Sequence, residues 1–335
     1  MRTTLGELLA TGRPVLADGA TGTNLFRSGL ESGYPPELWN LEHPDRIAAL
    51  HQSFVDAGAQ IILTNTFGGT RNRLALHAAE ERVHEIVGAA ARIARSVADA
   101  APHPVVVAGS VGPTGELFEP LGALTHAAAV ASFGEQIDAL IEGGVDVIWI
   151  ETMSAIDEIR AAATAAVDAG MPYTVTCSFD TAGRTMMGLA PADLHAVFEG
   201  LGAQPIAYGG NCGVGASDLL IAALAMVDAA PHAKIVAKAN CGVPRFEGAE
   251  VVYTGTTELM GEYARLAADV GAAIIGGCCG TSAEHLAAMR RALDARVPGP
   301  RPDIDAIVAS TGPLTNPVAS DAAPGSARRG NRRRG

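Results

Sequence analysis

Eight short runs of almost unbroken apolar residues limit what this chain can fold into: 14–20, 60–67, 105–112, 146–153, 173–179, 206–212, 234–242 and 273–280. A strand with one wet face alternates apolar and polar residues. A run that is apolar throughout belongs to a parallel sheet covered on both sides. Between the runs lie segments with helical spacing and Ala-rich faces, among them 45–57, 125–142, 155–169, 192–201, 217–228, 257–268 and 283–293. Several end in glycine just before the next run (Gly58, Gly143-Gly144, Gly170, Gly271), where a left-handed residue closes a helix. Eight such pairs in series predict an α/β protein built as one (β/α)8 barrel, a fold of about 250 residues. An open doubly wound sheet is the alternative. It favours a glycine-rich phosphate loop after the first strand, as G-x-G-x-x-G or G-x-x-x-x-G-K-[ST], and neither stands there.

Aromatic residues make up only 4% of the 335, so the core must be filled by Ala, Val, Ile and Leu. A net charge of −12 argues against a nucleic-acid partner. From residue 297 the composition shifts to Pro, Ala, Asp and Ser, then to Arg328, Arg329, Arg332, Arg333 and Arg334. The expected organisation is a barrel domain over 1–296 and a flexible tail over 297–335. No run is long enough to cross a bilayer, and the N-terminus lacks the apolar core of a signal peptide. A cytoplasmic location follows as an expectation. There, five cysteines serve metal binding or catalysis more readily than a disulfide framework.

In such a barrel the active site is made by the C-terminal ends of the strands and the loops after them. Those ends carry Asp18, Thr64-Asn65-Thr66, Ser110, Glu151, Cys177, Asn211-Cys212, Asn240-Cys241 and Cys278-Cys279. Cys212 and the vicinal pair, flanked by glycines on the sixth and eighth strands, can meet at one ion. Three thiolates with an open fourth position make a catalytic zinc rather than a closed structural one. Such an ion is a mild Lewis acid, and a thiol bound in the fourth place loses its proton yet stays nucleophilic. The chemistry indicated is activation of a substrate thiol towards an electrophilic carbon. The competing readings are small buried hydrophobes or a disulfide between Cys278 and Cys279. Cys177 reads as a packing residue, and Cys241 as a ligand or a spectator. Asp18 heads Asp-Gly-Ala-Thr-Gly-Thr, either as an Asx-turn residue or as the acceptor of a substrate ammonium beside backbone N–H groups that take a carboxylate. Glu151 follows an apolar run, a costly place for an unpaired charge. It reads as a second ammonium contact or as half of a structural ion pair.

These segments together resemble the zinc-dependent homocysteine S-methyltransferase family, which includes betaine–homocysteine methyltransferases and the homocysteine module of cobalamin-dependent methionine synthase. The resemblance runs from about Val15 to about Leu293. It rests on residues 18–23, Thr64-Asn65-Thr66-Phe67, Gly109-Ser110-Val111-Gly112-Pro113, Glu151-Thr152, Gly210-Asn211-Cys212-Gly213 and Gly276-Gly277-Cys278-Cys279-Gly280. It implies zinc (Zn2+) on Cys212, Cys278 and Cys279. It implies homocysteine held by Asp18, Glu151 and the backbone around Gly19 and Ala20, with Asn211 beside it. The reaction implied is an in-line displacement in which the metal-held thiolate takes a methyl group from an onium donor and methionine forms. Pro36-Glu37-Leu38-Trp39 and His43-Pro44 look most like the bacterial betaine enzymes, which makes glycine betaine the expected donor and Trp39, with Tyr34 or Phe67, the wall of an aromatic cage. Characterised betaine enzymes carry tyrosines where this chain has Gly68 and Thr152. S-methylmethionine or a methylcorrinoid are the other donors in view. The partners expected are small molecules, and the resemblance leaves room for a homo-oligomer.

Overall fold

The computed structural model of the chain describes residues 2–247 and 250–316. The eight apolar runs become eight parallel strands: β1 (Val15–Leu16), β2 (Ile61–Leu63), β3 (Val106–Val111), β4 (Val147–Met153), β5 (Tyr173–Cys177), β6 (Ala207–Cys212), β7 (Ile235–Ala239) and, after a β8–β9 hairpin (Pro244–Glu247 and Glu250–Tyr253), β10 (Ala272–Gly277). They pair in the order β1-β10-β7-β6-β5-β4-β3-β2. A bridge between Ala17 and Ile61 and a 2.7 Å bond from Gln60 N to Leu16 O close the ring. The predicted (β/α)8 barrel is the fold observed.

Closure gives every strand an inner and an outer face with period two. Inside lie Val15, Ala17, Ile61, Leu63, Val106, Ala108, Val147, Trp149, Ala207, Val236 and Ile274. Leu5, Leu8 and Leu9 of the helix Leu5–Ala10 join this cluster and seal the end away from the strand C-termini. That helix begins in a capping box, with Thr4 and Glu7 satisfying each other's end N–H groups. Outside, a larger layer of Ala, Val, Ile and Leu packs the strands against the helices. Helices 126–143 and 257–270 end in left-handed Gly144 (φ 93°) and Gly271 (φ 107°), as their sequence positions predict. The segment expected as a helix over 192–201 is a 3-10 helix, Pro191–Phe198, closed by i→i+3 bonds such as Glu199 N to Ala196 O.

The boundary at 297 does not mark the end of order. Ile304–Thr311 is a helix, Ile307 is fully buried, and Ser217 Oγ bonds to the Gly312 carbonyl at 2.7 Å. The composition hid the device that holds this segment down. Asp269, buried at the end of helix 257–270, takes Arg265, Arg296 and the N–H of Gly299 together. The arginine-rich stretch over 328–334 lies outside the described residues. Among the described residues, no helix is long and apolar enough to cross a membrane.

Candidate active site at the C-terminal mouth of the barrel

Continuing each inward phase one step past the apolar core gives the floor of the mouth. Ala108 leads to Ser110, Trp149 to Glu151, Gly209 to Asn211, Val236 to Lys238 and Asn240, and Gly276 to Cys278. Cys212 is one residue out of phase and reaches the same space by a backbone distortion. Its φ is +60°, uncommon for a residue with a side chain. Thr152, two strands away on β4, has the same φ, and the two distortions are tied through Asn211. The Asn211 amide accepts from Thr152 N (2.9 Å), donates to Thr152 Oγ1 (2.7 Å) and lies 3.7 Å from Cys278 Sγ.

The structure brings the sulfurs of Cys212, Cys278 and Cys279 within 4.8 Å of one another, with Cys212 and Cys279 at 4.0 Å. Zn–S bonds of about 2.3 Å at tetrahedral angles put sulfurs about 3.8 Å apart, so the spacing fits. The vicinal pair is pinned by Cys278 N to Ala239 O (2.7 Å) and by Cys241 N to Cys279 O (2.9 Å). The thiols are free rather than joined as a disulfide. Hydrogen bonds among the three thiols act in both directions. With burial and mutual repulsion added, the net effect is upward: Cys212 and Cys279 are pushed to about 12, and Cys278 is also raised. Three adjacent thiols cannot all ionise without a cation among them. This donor set therefore suits a thiophilic divalent ion.

Asp18 is 1% exposed and sits in an ion pair. Its Oδ1 is 2.7 Å from Lys238 Nζ, and its Oδ2 accepts from Leu63 N at 2.7 Å. Burial raises the Asp18 carboxyl against the pull of Lys238. Burial alone would discharge Lys238, but Asp18 and then Glu151 hold it above its ordinary value. The ammonium also stands 5.6 Å over the Trp149 ring. Glu151 is raised chiefly by burial, and its Oε1 accepts from Ser110 Oγ at 2.5 Å. Lys238 escaped sequence reasoning because it lies within an apolar run. Like Glu151, it is a charge among buried strand residues, and that signal marks it in the sequence.

Gly19 and Ala20 lie against the Cys278–Thr281 turn, with the Ala20 N–H donated to Thr281 O at 3.1 Å. A side chain at Gly19 would strike that carbonyl at 2.6 Å, so only glycine lets the two loops meet. Tyr253, at the end of the hairpin, packs on Gly280 with its phenol facing Cys279. It too went unnoticed in the sequence. Trp39 is buried with Leu25, Leu30 and Ile47, and the Arg46 guanidinium lies 5.0 Å from its ring centre. Tyr34 is hydrogen-bonded to Glu42. Phe67 is at the mouth, 38% exposed and packed on Gly112. Cys177 is fully buried, and the Cys241 thiol is buried with Sγ 3.4 Å from Gly255 O.

A family profile described as homocysteine S-methyltransferase matches residues 15–293. This chain belongs to that family of methyltransferases. It is 30% identical over 322 residues to methionine synthase of Mycobacterium leprae, covering 88% of this chain and 26% of that protein. Over 296 residues it is 30% identical to methionine synthase of Mycobacterium tuberculosis, covering 82% and 24%. The chain thus spans about a quarter of the curated relatives it matches. Among solved structures, the metallated form of the homocysteine methyltransferase MmuM from Escherichia coli superposes with a TM-score of 0.72 at 24% identity, covering 86% of this chain and 99% of that one.

Proposed function

We propose that this barrel methylates the sulfur of homocysteine to give methionine, using a zinc ion held by Cys212, Cys278 and Cys279. The convergence of three thiols from β6 and the end of β10 carries this reading. Bound there, zinc would supply the charge that lets a substrate thiol exist as a thiolate at neutral pH while remaining a nucleophile. The residues around it orient the rest of the substrate. Glu151 and Asp18 give its ammonium an anionic end of the cavity, and its carboxylate would lie towards the backbone around Gly19 and Ala20, where the Ala20 N–H is shared with Thr281 O. Asn211 fixes Cys278 relative to the β4 end. In the reaction, the substrate sulfur forms a bond to the donor's methyl carbon, the bond from that carbon to its onium atom breaks, and the electron pair stays on that atom, which leaves without its positive charge. Alignment of these three atoms is the main contribution such a site can make.

Glycine betaine is the donor suggested by the segment 36–44. A second reading, with S-methylmethionine or a methylcorrinoid as donor, is favoured by two local observations. Trp39 is buried with Leu25, Leu30 and Ile47 and has its face covered by Arg46. At Gly68 any side chain would begin 2.9 Å from Glu37 Oε1, which accepts the Gly68 N–H, so this position offers no cage wall. The test is a donor screen on zinc-loaded protein: homocysteine with betaine, S-methylmethionine, S-adenosylmethionine, dimethylsulfoniopropionate and methylcobalamin, followed by methionine release. Methionine from one of these supports the proposal. Homocysteine bound no better than cysteine would end it.

A further inference from the structure

Lys238 has no part in the chemistry so far, yet it stands at the centre of the charged end of the cavity. Its side chain is 3% exposed. Gly276, its neighbour on β10, makes room for it, because a Cβ there would sit 3.1 Å from Lys238 Cγ. Its ammonium is bonded to Asp18 Oδ1 and feels Glu151 as the next anion. The oxygens of Asp18 are thus already taken, one by Lys238 and one by the Leu63 N–H. Among the described residues, Glu151 is supported on one oxygen, by Ser110. Two carboxylates and one ammonium leave this enclosure with one net negative charge. A substrate ammonium of charge +1 neutralises it, and a ligand without an amine does not. In a water-poor cavity that difference discriminates strongly.

On the homocysteine reading given above, we infer that Lys238 is a positioning residue that sets specificity for an amino thiol. It neutralises Asp18 and keeps it in reserve as a support, so that the free oxygen of Glu151 is the acceptor of the substrate ammonium. Asp18 then acts through Lys238 rather than by touching the substrate.

The experiment compares binding of homocysteine and of its amine-free analogue 4-mercaptobutanoate to zinc-loaded protein by calorimetry. The proteins are wild type, Asp18→Asn, Lys238→Met, Glu151→Gln and the double variant Asp18→Asn/Lys238→Met. In Asp18→Asn the orphaned lysine turns to Glu151 and takes its free oxygen. Homocysteine affinity then falls by about tenfold or more, as when one partner of a buried charge pair is removed, and the preference over the analogue is lost. Glu151→Gln loses the same preference. The double variant removes the pair as a neutral unit and leaves Glu151 free, so most of the lost affinity and the preference return. Lys238→Met alone leaves two bare carboxylates and weakens homocysteine without making the analogue bind better. Zinc content and circular dichroism establish that each variant is folded. Should the double variant bind homocysteine no better than Asp18→Asn, Asp18 touches the ammonium itself and the role given to Lys238 is wrong. Should wild type bind the two thiols equally, the amino-thiol reading falls first and this one with it.

Discussion

At the level of single residues, the molecule contrasts charges that have partners with polar groups that have none. Asp18 and Lys238 are buried together and satisfied. His51, on helix 44–56, is fully buried with neither ring nitrogen hydrogen-bonded among the described residues. Burial lowers its pKa from 6.5 to about 4. An unfolded chain therefore binds a proton on this residue between those values that the folded chain refuses. The penalty is absent above pH 6.5, grows as pH falls towards 4, and approaches about 3 kcal/mol. Replacing His51 with Leu should flatten the loss of stability between pH 6.5 and 4 in urea titrations; an unchanged acid limb would show that other groups set it. A second expectation concerns Gly68. Gly68→Tyr, the residue found there in betaine enzymes, should displace Glu37 and lower stability by about 1–3 kcal/mol rather than confer betaine activity, as an overpacked buried site does. A stable variant with new betaine turnover would contradict this. The unequal legibility of the site has the same origin. Cys278-Cys279 and Asp18 announce themselves in sequence because of the glycines around them. Lys238 and Tyr253 do not, because what matters about them is which distant residue they face. The packing of Trp39 against Leu25, Leu30 and Ile47 was hidden for the same reason, since an aromatic near a motif says nothing about which side of a helix covers it.

Among elements, the strands were legible because burial on both faces imposes one composition. Their order followed from the alternation with helices. Segments that depend on a few specific contacts were not legible. The helix Ile304–Thr311 sits in a stretch whose composition reads as loose chain, and it is held by Asp269, by Arg301 to Asp228 (2.6 Å) and by Ile307 in the core. Ile307→Ala should destabilise the protein by about 2–4 kcal/mol, as for other buried aliphatic truncations, with a matching fall in the denaturation midpoint. Asp269→Ala should do more than remove an ion pair, because it leaves Arg265 and Arg296 without their shared partner and frees the Gly299 N–H. Limited proteolysis should then cut between residues 296 and 304 well before the barrel is lost. Cleavage no faster than in wild type would mean that the helix docks through its apolar face alone.

For the whole molecule, the important property is that the closed barrel holds β6 and β10 on either side of β7 before any ligand arrives. The thiols are preassembled, so a metal need not gather them, but it must remove their protons. With Cys212 and Cys279 pushed up to about 12 and Cys278 also raised, the metal-free cluster is protonated at pH 7. Binding of zinc as three thiolates should therefore release close to three protons per ion, and affinity should fall steeply as pH is lowered, since protons and metal compete for the same sulfurs. Calorimetric titration of metal-free protein with zinc, repeated in buffers of different ionisation heat, gives the count directly. Cys278→Ser should lower both the number of protons released and the affinity. An ion held by these sulfurs in the folded state alone should, at a free concentration 100 times its dissociation constant, add about 2.7 kcal/mol of stability, seen as a rise in melting temperature that chelation reverses. A proton count near zero would mean that the three sulfurs are not the ligands, however close the barrel brings them.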